Sequence, residues 1–205
     1  MTNLIDLNKL VLDFFTWRGI IGVHSIEAKE LKMSTRGAVG FKLNGEYKVA
    51  YNHSDSYPSY LGAYVVDFCE QLENHDCWEQ LLHQVEGIKD TGVSEANDGR
   101  DFLWGTFEGS VREFEQDFDF MRDSLFCEYA YIIDLDEMEL KFYRGWKTEP
   151  GNSDLPFPMV PDENGYYPVH LVFSLPLDNL PSSWKKSYEK DFGESYGCLF
   201  PEYAK

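Results

Sequence analysis

The sequence predicts an α+β fold in which a mainly antiparallel sheet is covered by helices. Two stretches of alternating apolar and polar residues, 38–43 and 47–51, flank Asn44-Gly45, a strong signal for a hairpin turn. Apolar residues at helical spacing follow over 61–72, which indicates an amphipathic helix. A four-layer αββα arrangement is the specific expectation.

The predicted hairpin leads into a polar loop. Antiparallel pairing places residues 34–37 beside residues 51–53, although the two groups are far apart in the chain. Residues 52–58 form the loop by composition, and Pro58 fixes its exit. Ser59 is positioned to cap the following helix.

Apolar–polar alternation and helical spacing of apolar residues also predict the remaining strands and helices. We expect helices over 3–18, 74–85 and 108–123, a surface loop over 87–101, and strands over 128–133, 139–143 and 166–175. Residues 148–168 carry five prolines and are expected to form a long irregular excursion.

Length and charge limit the class of protein. The 205 residues suit one domain, with a helical extension over 1–32, a core over 33–182 and a tail over 183–205. The formal charge of −18 disfavours nucleic acid and anionic membranes, whose phosphates are also negative. Because no apolar run spans a membrane and the four cysteines lack CxxC spacing, we expect a cytoplasmic protein. The N-terminal helix is a candidate surface for forming a homo-oligomer.

The candidate catalytic and ligand-binding residues lie at the end of the predicted hairpin. His53 with Asp55 is a candidate acid–base pair, and Ser34, Thr35 or Ser56 can supply a hydroxyl. A ligand site is a second possibility, and its candidate residues are Arg36, Asn52, Ser56 and Tyr57. The structural alternative is that Arg36 pairs with Asp55 while Asn52 and His53 bond the loop backbone.

The predicted helix over 108–123 has an acidic outer face. Its candidate partner-binding residues are Glu108, Glu113, Glu115, Asp117, Asp119 and Asp123. A solvated helix surface is the structural explanation of these acids. Docking to a basic protein, or mimicry of a phosphate backbone, is the functional one.

We expect no metal and no cofactor. Asp134 and Asp136 lie between two predicted strands, where turn chemistry accounts for them. Asp117 and Asp119 lack the glycine and the terminal glutamate of a calcium loop. No two histidines show zinc-like spacing with a thiol.

Four motifs carry a resemblance to a known family. STRGAVGF, KVAYNHSDSYPSYLG, EYAYIIDLDEMELKFYRG and YYPVHLVFSLPLDNLP are similar to a family of uncharacterised phage and bacterial proteins, over roughly residues 33–182. The resemblance implies no established activity. Members of that family typically begin near the Met-Ser-Thr-Arg-Gly motif, whereas this chain has 32 residues ahead of Met33. The order of strand, hairpin and helix also resembles the front end of N-terminal-nucleophile hydrolases.

Two functional hypotheses follow from different classes of protein. The first is an acidic intracellular binding protein, encoded by a phage or mobile element, that inhibits a host defence protein by docking on its basic surface. The alternative is a small amide or ester hydrolase that uses Thr35, Arg36 and His53.

Overall fold

The computed structural model describes residues 34–181 and 183–184, which belong to one compact unit. The helix predicted over 3–18 and most of the tail over 183–205 lie outside the described residues. A single domain over 1–205 therefore stays a prediction. None of the helices among these described residues combines the length and the hydrophobicity that a membrane span requires.

One five-stranded sheet forms the centre of the fold. Its spatial order is β2-β1-β5-β6-β7, and only the β1–β5 pair is parallel. Its strands are β1 (Gly37–Leu43), β2 (Glu46–Asn52), β5 (Tyr129–Asp134), β6 (Glu139–Arg144) and β7 (His170–Pro176). The α+β fold with a mainly antiparallel sheet is confirmed. The four-layer αββα expectation is wrong for the described residues, because these strands belong to one sheet rather than to two stacked sheets.

Three α-helices pack on one face of the sheet: α1 (Ala63–Asn74), α2 (Trp78–Gly87) and α3 (Gly99–Glu108). They share a core with alternate strand residues such as Val39, Phe41 and Tyr131. A second, smaller core on the opposite face contains Met121, from the short 3₁₀ helix Phe118–Arg122, and Leu155, from irregular chain. Helices therefore cover one face, and mostly irregular chain covers the other.

The β1–β2 turn and the β5–β6 turn are joined by hydrogen bonds at one end of the sheet. Asn44 and Gly45 have φ values of 53° and 77°, as a type I′ turn requires, so the predicted first hairpin is confirmed. In the β5–β6 turn, Asp134 Oδ1 accepts the Asp136 and Glu137 N–H groups, each at 3.1 Å. Asp136 in turn accepts the N–H groups of Asn44 at 2.6 Å and Gly45 at 2.9 Å. Both aspartates thus form turn hydrogen bonds, as expected.

The helices begin and end differently from the prediction. A π-helical turn, Pro58–Gly62, precedes α1, and Ser59 is buried inside it with no hydrogen-bond partner for its Oγ, so the predicted cap is wrong. The third helix starts inside the predicted loop over 87–101, where Asp98 accepts the N–H groups of Arg100 and Asp101.

The acidic helix predicted over 108–123 is wrong. Gly109 adopts φ 74° and ends α3, which is the conformation that favours a glycine cap. The chain continues through the short strand β4 (Glu113–Phe114), paired with β3 (Lys89–Asp90), and a 3₁₀ helix, Phe118–Arg122. The apolar residues serve different faces of the sheet: Phe114 packs in the helix-side core and Met121 in the opposite core.

This segment covers the edge of the sheet at β2. Gln116 accepts the Val49 N–H at 3.0 Å and donates to the Tyr47 carbonyl at 2.5 Å. The Asp117 N–H donates to the Val49 carbonyl at 2.8 Å, and its carboxylate accepts the Tyr51 N–H at 3.1 Å. An open strand edge is a template for unwanted pairing, and these contacts close it.

A buried charge network links the sheet to the irregular face. Asp134, whose side chain is fully buried, accepts from Lys42 Nζ at 2.8 Å and lies 2.9 Å from Lys141 Nζ. Lys141 also pairs with Asp154 at 2.6 Å, and Tyr143 donates to the same carboxylate at 2.6 Å. Asp154 lies in the excursion over 148–168, which contains no helix or strand, as predicted. The network therefore attaches the excursion to the sheet.

In this network, each charged group stabilises the ionised form of its oppositely charged neighbours. Burial favours the neutral form of Asp134, yet its hydrogen bonds from the two lysines lower the pKa of this carboxyl below its ordinary value. Burial likewise opposes the charge of Lys141, but Asp154, Glu137 and Asp134 raise the pKa of its ammonium above the ordinary range.

We predict that Asp134→Asn lowers the free energy of unfolding by about 2 to 4 kcal/mol, because it removes the buried carboxylate that Lys42 and Lys141 share. Urea denaturation at neutral pH measures the change. Glu137→Gln is the matched control, since Glu137 contacts the same Lys141 but its side chain is 56% exposed; we expect its cost to stay below about 1 kcal/mol. Equal effects of the two substitutions would contradict the account.

Candidate functional site

The fold brings the two polar groups at the hairpin end together. Gly37 pairs with Asn52, the Ser56 N–H donates to the Thr35 carbonyl at 3.1 Å, and the Ser34 hydroxyl donates to the His53 carbonyl. The predicted meeting of residues 34–37 with residues 51–53 is confirmed.

Asn52 acts as a structural junction. It is 4% exposed, and its amide nitrogen donates to the Ser54 carbonyl at 2.5 Å and to Ser56 Oγ at 2.8 Å. Its amide oxygen accepts the Gly99 N–H at 3.1 Å. A side chain at Gly99 has no room, because a Cβ there would lie 2.5 Å from Val39. Asn52 therefore joins the loop to the start of α3.

The candidate catalytic residues do not form a nucleophile–base pair in the described geometry. Thr35 is buried, and the Ser34 hydroxyl bonds a backbone carbonyl. His53 is exposed, and its Nδ1 lies 3.0 Å from the Tyr51 hydroxyl. Asp55 is also exposed and adopts φ 55°. The imidazole contact in this group is thus with a tyrosine, a residue that the sequence did not single out.

The candidate ligand residues are also committed to the fold. The Arg36 guanidinium lies 5.3 Å from the centre of the Phe126 ring, and none of the described ion pairs joins it to Asp55. Ser56 is buried, and its carbonyl accepts the Tyr131 hydroxyl at 2.8 Å. The Tyr57 ring packs 6.2 Å from the ring of Tyr129.

Three clefts surround the loop over 94–98, and Asn97 lines all of them. The His53 cleft, of about 150 Å³, is lined by Asn52, His53, Ser54, Asp55, Tyr60, Leu61, Asn97, Asp98 and Arg100. The Asp117 cleft, of about 170 Å³, is lined by Ala50, Tyr51, Ser94, Ala96, Asn97, Asp98, Glu115 and Asp117. The Trp104 groove, of about 320 Å³, is lined by Glu95, Ala96, Asn97, Asp101, Trp104, Gly105, Glu108, Ser110 and Val111. Together these residues form what we call the acidic surface.

Backbone hydrogen bonds fix several of these acids. Asp98 caps α3 and pairs with Arg100 at 2.8 Å; despite partial burial, these bonds lower the pKa of the Asp98 carboxyl. Glu95 Oε2 accepts the N–H groups of Arg112 at 2.6 Å and Glu113 at 3.0 Å, which lower the pKa of Glu95. Charged carboxylates are therefore presented from defined positions.

The six acids predicted to bind a partner do not share one face. Glu108, Glu113, Glu115 and Asp119 are exposed, and Asp119 lies 3.8 Å from Arg122. Asp117 supports the β2 edge, and burial together with Glu115 and Asp90 raises the pKa of its carboxyl. Burial also raises the pKa of Asp123, near Asp162.

Sequence reasoning missed Glu95, Asp98 and Asp101 as members of this surface. The segment Asn97-Asp98-Gly99 before an apolar run is an available signal for a capped helix, and it would have located α3. Among the described residues, no group of three or more histidine, cysteine, aspartate or glutamate side chains is placed to hold a metal ion.

No protein-family model matches the chain, and no curated protein or solved structure is significantly similar to it. The resemblance to phage and bacterial proteins therefore stays a prediction, and the function is argued from the site alone.

We predict that Asn52→Ala lowers the free energy of unfolding by about 2 to 3 kcal/mol, because it leaves buried partners unsatisfied. The neighbouring substitution His53→Ala removes an exposed ring, and its effect should stay within about 0.5 kcal/mol. Chemical denaturation of both variants tests this division. A large loss of stability in His53→Ala would show that this histidine is structural.

Proposed function

We propose that the chain binds a protein with a basic surface, and that the acidic surface around the loop over 94–98 makes the contact. The observation that carries the proposal is the convergence of three clefts whose lining acids outnumber their lining bases. Their acids are Asp55, Glu95, Asp98, Asp101, Glu108, Glu115 and Asp117. Arg100 is the one lysine or arginine among the described lining residues, and it is paired with Asp98.

Electrostatics supports a basic partner in two ways. The chain carries a formal charge of −18, which attracts cationic surfaces over a Debye length and accelerates encounter. Clefts lined mainly by acids add specificity because they penalise partners that are also negatively charged. Nucleic acid is disfavoured by the same argument.

Hydrogen bonds also fix the side chains of two acids in the acidic surface before a partner binds. Glu95 is fixed by two backbone N–H groups, and Asp101 Oδ2 accepts the Asn97 side-chain amide at 2.6 Å. Side chains ordered before binding lose less conformational entropy on association. This arrangement supports a docking surface over a merely solvated one.

The biological setting extends the proposal. The motif resemblance to phage and bacterial proteins supports a host defence protein in the cytoplasm as the partner, blocked by surface docking. Self-association through the N-terminal residues is compatible with this function, and it belongs to the same proposal.

Reversal of three exposed acids on or beside the acidic surface tests the proposal. We expect the triple substitution Glu108→Lys, Glu113→Lys and Glu115→Lys to abolish capture of the partner from bacterial lysate. Asp117 is left intact because its carboxylate bonds the β2 edge. The control reverses three exposed acids elsewhere, namely Glu149, Glu163 and Asp178, and so makes the same change in net charge.

The readout is a stoichiometric protein, identified by mass spectrometry, that the wild-type chain and the control variant both retain. Its loss in the triple variant alone supports the proposal. Equal retention by all three proteins, or loss in both variants, would contradict docking through this surface.

A small amide or ester hydrolase is the second candidate, and the concave His53 cleft favours it. His53 would act as the base, and the contact of its Nδ1 with Tyr51 would orient the ring. This function predicts that His53→Ala removes turnover of p-nitrophenyl acetate while the variant keeps its fold. Unchanged turnover in the variant would overturn this candidate.

A further inference from the structure

We propose that the Trp104 groove binds an arginine side chain of the partner, in preference to a lysine. The inference rests on the proposed function and names the chemistry by which one part of the acidic surface recognises its partner. The groove is the largest of the three clefts, at about 320 Å³, and it combines an aromatic ring with three carboxylates.

The Trp104 ring is held in place from within the protein. It makes T-shaped contacts with Phe68, at 4.9 Å between ring centres, and with Phe107, at 5.8 Å. Trp104 is nevertheless partly exposed and borders the groove, so a preorganised aromatic surface faces an incoming group.

The carboxylates come from three positions along the same groove. Glu95 lies on the loop, Asp101 in the first turn of α3, and Glu108 at the last residue of the same helix. No lysine, arginine or histidine is among the described residues that line the groove. A cation that enters therefore meets negative groups together with an indole ring, which is the best aromatic partner for a cation.

The chemistry favours a guanidinium over an ammonium. A planar guanidinium stacks on an aromatic ring and bonds a carboxylate through two parallel N–H groups, whereas a lysine ammonium is a strongly hydrated point charge. The same protein uses this combination internally. The Arg100 guanidinium lies 5.5 Å from the centre of the Tyr60 ring and 5.8 Å from that of Tyr64, while it pairs with Asp98 at 2.8 Å.

Two labelled peptides of equal length and charge, nona-arginine and nona-lysine, test the inference. Fluorescence anisotropy at physiological ionic strength measures their dissociation constants. We expect the wild-type chain to bind nona-arginine about three- to tenfold more tightly than nona-lysine. Trp104→Leu should abolish this preference while it retains binding of nona-lysine, and Trp104→Phe should preserve much of the preference because it keeps an aromatic ring.

Glu108→Gln provides a second variant that does not alter the aromatic packing, because Glu108 is exposed at the end of α3. We expect it to weaken nona-arginine binding more than nona-lysine binding. Circular dichroism confirms that each variant is folded before affinities are compared.

The outcomes separate the inference from the proposed function. Equal affinity of the wild-type chain for the two peptides would overturn the arginine preference and leave a basic partner in place. Survival of the full preference in Trp104→Leu would also overturn the inference, since the indole ring would not be its source. Absence of binding to either peptide would overturn both.

Discussion

Closure of the β2 edge is the constraint on which the arrangement of the acidic surface depends. An edge strand exposes unpaired backbone groups, and here Gln116 and Asp117 satisfy those of Tyr47, Val49 and Tyr51. To do so, the chain after α3 must run along the edge instead of continuing as a helix. That route puts Glu115 beside the loop over 94–98 and carries the chain from one face of the sheet to the other.

A second junction fixes the other side of the same surface. Asn52 ends β2 and accepts the N–H of Gly99, so the start of α3 is tied to the hairpin end. The loop before that helix is thereby held between β2 and the segment after α3, with Asn97 at the meeting point of all three clefts. At the opposite end of the hairpin, the Asp136 carboxylate accepts hydrogen bonds from the backbone of the turn. Acids of the acidic surface are therefore carried by a loop, 94–98, that is held in place by contacts on both sides.

Local chemistry made the hairpins predictable, while long-range contacts limited the prediction of the site. Asn44-Gly45 demands a tight turn whatever surrounds it, and Asp134 forms its turn with neighbouring residues. The helix over 108–123 was wrong because Phe114 and Met121 suit helical spacing but are buried on opposite faces of the sheet. Glu95 was missed because its carboxylate bonds residues seventeen and eighteen positions away. Contacts of that range leave no periodic signal in the sequence.

Hydrogen exchange with and without nona-arginine peptide tests most directly whether the acidic surface is the binding site. At physiological ionic strength, the account predicts added protection of backbone amides over 93–117, with little change in the excursion over 148–168. The same pattern should disappear in the triple variant at Glu108, Glu113 and Glu115. Protection confined to the excursion, or unaltered protection in that variant, would contradict the account.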